Sequence, residues 1–139
     1  MAAPTYGAQG GAVATTGSAV ASYPAGITAG DGIVYFVSTN GSAMGSAPAG
    51  FTQLGSTQVG GGMRKAAFTK DTVTGSESGT VTVSGLTGGT KGEAYIVRIS
   101  PGTPGDVLTF TDGSWTDTDA SSTTLTGTGA SWTSTTDTL

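Results

Sequence analysis

Glycine constrains this chain more than any other residue, because it occurs 25 times in 139 residues. A glycine inside a helix costs about 1 kcal/mol relative to alanine. Apolar residues also fail to sustain the i, i+3, i+4, i+7 spacing of an amphipathic helix over a dozen residues. The sequence therefore predicts an all-β protein without substantial helix, in which glycine serves the turns.

Short apolar segments interrupt the polar background and have the character of strands. Residues 33–39 are apolar on both alternating sets of positions, which predicts a central strand covered on both faces. Residues 80–84 alternate valine with hydroxyl side chains, as a half-buried strand does. A second strong strand is predicted over 93–100, and weaker ones over 12–22, 51–54, 63–69 and 107–110. We expect seven or eight short strands in an antiparallel β-sandwich of jelly-roll or immunoglobulin-like type.

A chain of this length supports one hydrophobic core. We expect an N-terminal arm over residues 1–11 and a sandwich core over 12–110. The Thr/Ser/Asp-rich segment 111–139 is expected to pack on the sandwich or on a neighbouring chain. The predicted core is thin, and its members are Ile33, Tyr35, Val37, Phe51, Leu54, Phe68, Val81, Val83, Tyr95, Val97, Ile99, Leu108 and Phe110.

Charge is sparse and unevenly placed. The net charge is −4, and the five basic residues all lie between residues 64 and 98, whereas only aspartates carry charge after Arg98. An acidic chain has no electrostatic means of gripping nucleic acid or anionic lipid. The aspartates repel one another, so the C-terminal segment is expected at a surface, where a basic patch on another chain would suit it.

The residues that enzymes use most are missing. Histidine and cysteine are both absent, which removes the usual general base, the commonest metal ligand and a thiolate nucleophile. A Ser–Lys dyad would need Lys65, Lys70 or Lys91, but no serine stands three residues before any of them. Glu77 and Glu93 could in principle form a carboxylate pair. For Glu77, in a Ser/Gly turn, the simpler interpretation is a carboxylate that accepts backbone N–H bonds.

Three aspartates near the C-terminus are the candidates for a cation site. Asp112, Asp117 and Asp119 supply clustered oxygen atoms of the kind that Ca²⁺ prefers. Their spacing is not that of an EF-hand, and no bidentate glutamate follows them. A solvated acidic loop is the favoured interpretation, so we expect no metal and no cofactor.

Two tryptophans and three basic residues are the interface candidates. Trp115 and Trp132 lie in an otherwise polar region, where tryptophan can anchor an interface, stack on a sugar or pack at the rim of the sandwich. Arg64, Lys65 and Lys70 are too few for a nucleic-acid face. We expect them to pair with aspartates of a neighbouring chain.

Four segments together resemble a known family. They are residues 24–31, 48–56 and 74–83, and the strand that leads into 98–100 and then Pro104. In this order and spacing they resemble a β-sandwich domain of tailed-bacteriophage structural proteins, which serve as capsid decoration or cement proteins and as fibre or tail-associated modules. The resemblance covers roughly residues 12–110 and brings no catalytic residues with it.

The resemblance implies a virion structural protein. The leading expectation is a capsid decoration protein that binds major capsid protein and sister copies as a homo-oligomer. The first alternative is a tail-fibre or host-recognition module that binds a cell-surface glycan through Trp115, Trp132 and the loop 40–50. A glycan-acting enzyme using Glu77 or Glu93 ranks last. Residues 1–5 lack the basic and apolar regions of a signal peptide, and no apolar run is long enough to cross a bilayer. The expected location is therefore the virion, after synthesis in the host cytoplasm.

Overall fold

In the computed structural model the described residues form β-strands, turns and extended loops. They are residues 5–10, 12–15, 17–60, 62–88, 92–103, 108–110, 115–116, 126–127 and 132–134. No helix occurs in these ranges, so none there is long and apolar enough to cross a membrane. The prediction of an all-β chain is confirmed.

The strands are short, and most of them coincide with predicted segments. The strand that begins at Thr52 extends well past the predicted 51–54, and those at 5–9, 115–116, 126–127 and 132–134 were not predicted. In chain order they are β1 (Thr5–Gln9), β2 (Ala12–Thr15), β3 (Ser18–Ser22), β4 (Gly32–Thr39), β5 (Thr52–Gly60), β6 (Met63–Lys70), β7 (Thr80–Ser84), β8 (Gly92–Ser100), β9 (Leu108–Phe110), β10 (Trp115–Thr116), β11 (Thr126–Gly127) and β12 (Trp132–Ser134).

Eight of these strands form two antiparallel sheets. The larger has the order β1-β8-β4-β6-β5 and the smaller has the order β2-β3-β7. Two short pairs, β9 with β12 and β10 with β11, complete the described strands. The two main sheets pack face to face as the predicted sandwich, and β1 lies within the segment expected to be an arm.

The core between the sheets is built around Tyr35 and Phe68. Both are fully buried, and their ring centroids lie 6.3 Å apart. From the smaller sheet, β3 contributes Ala19 and Ala21 to this core, and β7 contributes Val81 and Val83. The other buried members of this cluster are Ala19, Ala21, Ile33, Val37, Met44, Phe51, Ala66, Val73, Val81, Val83, Leu86, Ala94 and Ile96.

Strand β8 presents the opposite face from the one predicted. Ile96 pairs with Tyr35 and lies fully buried in the core, whereas Tyr95 and Val97 face away from the smaller sheet. The prediction that Tyr95, Val97 and Ile99 belong to the core is therefore wrong, and Leu54 also faces outward, opposite Ala67. The register of β8 against β4 sets this orientation, because a shift of one residue would turn every side chain of the strand to the other face of the sheet.

The chain passes from one sheet to the other at Gly10. Its N–H donates to the carbonyl of Ile96 at 2.8 Å, directly after the last residue that pairs with β8. Two residues later β2 pairs with β3 in the smaller sheet. A Cβ at residue 10 would overlap the carbonyl oxygen of Ser22. Only glycine permits this approach at the point where the chain leaves the larger sheet.

The segment between β4 and β5 packs against the end of β7 and the residues that follow it. Met44 of this segment inserts into the core with 6% of its surface exposed. At Gly45 a Cβ would overlap the carbonyl of Ser84 and would lie 3.2 Å from Val83. The middle of the loop 40–50 is therefore part of the packing of the sandwich.

Candidate interaction surface

At one end of the sandwich, the carboxylate of Glu77 stabilises the loop between β6 and β7 through hydrogen bonds. One oxygen of its carboxylate accepts the N–H of Thr74 at 3.0 Å, and the other accepts the N–H of Gly75 at 2.9 Å. Burial raises the pKa of Glu77, but these hydrogen bonds and the Lys70 ammonium outweigh burial and lower it to about 2. A carboxylate held ionised in this way is a turn-stabilising group and is a poor general acid.

Lys70 is occupied at the same turn. Its Nζ lies 3.2 Å from Oε1 of Glu77, whose side chain is 5% exposed. Gly75 in turn packs against the backbone of residues 28 and 29, where a Cβ would come within 2.9 Å of the amide nitrogen of Ala29. Lys70 thus contributes to joining two loops of its own chain, and its pairing with a neighbour stays a prediction.

Arg98 and Asp31 form a second internal polar contact at this end. The guanidinium donates to the carbonyls of Ala25 and Gly26, and Nε lies 3.9 Å from the carboxylate of Asp31. Asp31 is 1% exposed and also accepts the N–H of Thr28 at 2.8 Å. Strand β8 therefore turns an arginine inward at its end, which fixes the loop that leads into β4.

Arg64 has an equivalent role at the opposite end. Its Nε donates to the carbonyl of Gly41 at 3.1 Å, and the N–H of Gly41 donates to the buried hydroxyl of Thr39. Arg64 shares the inner side of the sheet with Thr39, its partner in the ladder. Two of the three basic interface candidates, Arg64 and Lys70, are thus engaged within the chain.

The outer face of the five-stranded sheet carries the third basic candidate, Lys65, and also a group of apolar side chains. Phe36 pairs with Tyr95 on one side and with Ala67 on the other, and the rings of Phe36 and Tyr95 lie 5.2 Å apart between centroids. Phe36 and Tyr95 keep part of their surface exposed. Burial raises the pKa of Tyr95, and the nearby Glu93 raises it further.

One end of this outer face is covered by β9. A Cβ at Gly32 would overlap the ring of Phe110 and would lie 3.2 Å from Leu108. Leu108 is 2% exposed, and Val34 on the same face is 3% exposed, although neither belongs to the core between the sheets. The cover does not reach the exposed aromatic side chain at the edge, Tyr6, which is 65% exposed.

The remaining candidates lie largely outside what the structure describes. The backbones of Trp115 and Trp132 lie in β10 and β12, where Trp132 pairs with Phe110, but their side chains are outside the described part. Asp112, Asp117 and Asp119 fall outside the described residues altogether. Within the described ranges no three acidic residues gather where they could hold a metal ion.

Comparison with known proteins yields no relative. No family model, no curated protein and no solved structure matches this chain.

Proposed function

We propose that this protein is a non-enzymatic structural component of a bacteriophage virion, and specifically a capsid decoration protein. The observation that carries the proposal is the apolar outer face of the five-stranded sheet, with aromatic side chains such as Phe36 and Tyr95 left partly exposed. Partly exposed apolar side chains gathered on one face of a sheet are typical of a protein interaction surface.

The polar groups of the described residues support a structural role. Glu77, one of the two carboxylates considered for catalysis, has its oxygens committed to a turn and to Lys70. The other, Glu93, lies in β8 on the outer face, with its backbone N–H bonded to Ser38. Glu93 is exposed and the carboxylate of Glu77 already has partners, whereas paired carboxylates need a shaped, partly dry pocket for acid–base work.

The thin core also fits a protein that functions in an assembly. Four members of the buried cluster are alanines, namely Ala19, Ala21, Ala66 and Ala94. Such small side chains bury little apolar area, and each Å² buried stabilises the fold by only about 25 cal/mol. Binding to neighbours stabilises the folded state by mass action. Many copies on a lattice also make weak individual contacts sufficient.

The glycan-binding alternative is less well supported. Its loop 40–50 is anchored by buried Met44 and by the close packing of Gly45 on Ser84. That leaves the middle of the loop little freedom to present side chains to a sugar.

The decisive experiment is a copy count on native particles. Source virions would be stripped stepwise with mild denaturant and with EDTA, and this chain would be quantified by mass spectrometry against the major capsid protein. We expect hundreds of copies per particle. A count in the single or low double digits would move the protein to the tail and favour glycan recognition, and absence from particles would overturn the virion assignment. Release by EDTA would indicate a cation site at the aspartates.

A further inference from the structure

The turn that follows β4 contains the only asparagine of the chain. Asn40 is exposed, and the residue after it is the buried Gly41. Asparagine is one of the chemically labile residues of proteins. A glycine in the next position carries no Cβ, so its backbone nitrogen is open to close approach by the asparagine side chain. The pair therefore places an amide carbon and an unhindered backbone nitrogen next to each other.

We propose that Asn40 is a site of covalent modification by deamidation, and that Thr39 and Arg64 suppress this reaction in the folded chain. The backbone nitrogen of Gly41 gives up its proton to solvent and attacks Cγ of Asn40. The side-chain nitrogen takes up a proton and leaves as ammonia, which closes a succinimide ring. Water then adds to either carbonyl of the ring, breaks its C–N bond and leaves aspartate or isoaspartate at residue 40. The reaction consumes one water molecule, releases one ammonia molecule and involves no change of oxidation state.

The fold restrains the attacking nitrogen directly. The N–H of Gly41 donates to the hydroxyl oxygen of Thr39 at 3.1 Å, and Thr39 is 2% exposed. A hydrogen-bonded N–H exchanges its proton with solvent only when the structure around it opens. The proton that must leave before the ring closes is therefore the one that Thr39 holds.

The peptide unit that follows Gly41 is fixed as well. Nε of Arg64 donates to the carbonyl of Gly41 at 3.1 Å, and the N–H of Ser42 donates to the carbonyl of Thr87 at 2.7 Å. Ring closure requires the backbone nitrogen to swing towards the side chain of Asn40. Thr39 before this nitrogen, and Arg64 and Thr87 after it, oppose that rotation, so attack requires the turn to open.

The modification would make such an opening permanent. Isoaspartate routes the main chain through the former side-chain carbon, which lengthens the backbone at residue 40. The bonds from Gly41 to Thr39 and Arg64 then no longer fit the turn. Either product also adds a negative charge at an exposed position. Conversion at Asn40 therefore records how often this end of the sandwich has opened.

The pair Asp31–Gly32 is an internal reference for the argument. An aspartate before glycine can close the same ring with loss of water. Asp31, however, is 1% exposed and accepts the N–H of Thr28 at 2.8 Å. Gly32 is paired with Ile99 in the ladder. We expect this pair to stay unmodified in the folded chain.

The test is the rate of conversion at residue 40 in the full chain at about pH 8, measured by peptide mapping and mass spectrometry. We expect the folded wild type to react roughly tenfold or more slowly than the same chain in urea, because only the opened turn reacts. Arg64→Met and Thr39→Val should each speed the reaction of the folded chain about fivefold, the factor that corresponds to one hydrogen bond of about 1 kcal/mol. The rate of Arg64→Met in urea should equal that of the wild type, since residue 64 is remote from the reacting pair in the sequence.

The matched control is Arg98→Met. It also removes bonds from a guanidinium to loop carbonyls, but at the other end of the sandwich. It should leave the folded rate at Asn40 near that of the wild type, and circular dichroism checks that every variant keeps its fold. An equal acceleration by Arg98→Met and Arg64→Met would show that global unfolding governs the reaction, and would overturn the inference. So would a folded wild type that reacts as fast as the chain in urea, or a chain that does not react in urea. The inference does not depend on the virion assignment.

Discussion

The hydroxyl of Tyr35 donates a hydrogen bond of 2.8 Å to the carbonyl of Ala19, and so links the five-stranded sheet to the three-stranded sheet through the core. The carbonyl of Val81, on the next strand of the smaller sheet, lies 3.3 Å away. Tyr35 is fully buried, and burial raises its pKa to about 12. Its ring packs near Phe51 and Phe68 while its hydroxyl bonds to the opposite sheet.

Replacing Tyr35 with phenylalanine tests this link. We expect Tyr35→Phe to lower the free energy of unfolding by about 1 kcal/mol, the typical net value of one buried hydrogen bond. Chemical denaturation at neutral pH measures the change. Tyr6→Phe is the control, because Tyr6 is 65% exposed and its substitution should be neutral. Equal effects of the two substitutions would contradict a role for the hydroxyl.

The difference in stability between the wild type and this variant should depend on alkaline pH in a defined direction. The folded pKa of Tyr35 is raised from 10.0 to about 12, so the protonated hydroxyl contributes stability that is present below pH 10 and lost as the pH rises towards 12. The cost of Tyr35→Phe should therefore shrink between pH 10 and pH 12. A cost that stays constant over this range would mean that the hydroxyl titrates normally in the folded chain.

Glu77 should control stability in acid. Its pKa is lowered from 4.5 to about 2, so its contribution is fully present above pH 4.5 and is lost as the pH falls towards 2. We expect Glu77→Gln to lower the free energy of unfolding by about 1 kcal/mol at pH 7. This is the value of a hydrogen bond to a charged group, reduced because solvent lies beside the turn. Denaturation midpoints of the two proteins should converge between pH 5 and pH 2.

Asp71 provides the matched comparison for Glu77. Burial raises the pKa of Asp71, and a hydrogen bond from Thr69 only partly opposes this. Asp71 is exposed to solvent, which weakens this effect, so Asp71→Asn should leave the free energy of unfolding at pH 7 close to that of the wild type. If Asp71→Asn destabilised the protein as much as Glu77→Gln, the assignment of opposite shifts would be refuted.

Gly10→Ala should disrupt the crossing between the sheets. The added methyl group would overlap the carbonyl of Ser22, and overpacking of this kind costs about 1–3 kcal/mol. Gly62→Ala is the control, since that residue has φ +75° with open space around it and carries only the left-handed penalty of about 1–2 kcal/mol. Hydrogen exchange should show loss of protection in β1 and β2 for Gly10→Ala alone.

Arg98→Met should loosen the loop before β4. It removes the bonds to the carbonyls of Ala25 and Gly26 and leaves the buried Asp31 without a nearby cation. We expect a loss of about 2 kcal/mol, below the range for a fully buried pair because the two groups are not in close contact. A double-mutant cycle with Asp31→Asn should give a coupling of about 1 kcal/mol, and strict additivity would show that the two groups act separately.

The sequence by itself determined the class of fold and most of the strands. Frequent glycine and missing helical periodicity exclude helices, and alternation at Val81 and Val83 marks a strand with one buried face, which the structure confirms. The turn function of Glu77 was also predictable, because a carboxylate in a Ser/Gly segment readily accepts backbone N–H bonds.

Only the tertiary structure decided which face of β8 enters the core. In the sequence, Tyr95, Val97 and Ile99 are a more apolar set than Ala94, Ile96 and Arg98, yet the latter set faces inward. The pairing of Ile96 with Tyr35 sets this register, and Arg98 is tolerated because it reaches loop carbonyls and Asp31 at the end of the sandwich. Local sequence pattern does not reveal strand partners that lie more than 60 residues away. The pairing of β8 with β4 places Tyr95, Val97 and Ile99 on the outer face of the five-stranded sheet, which is the surface proposed for protein interaction.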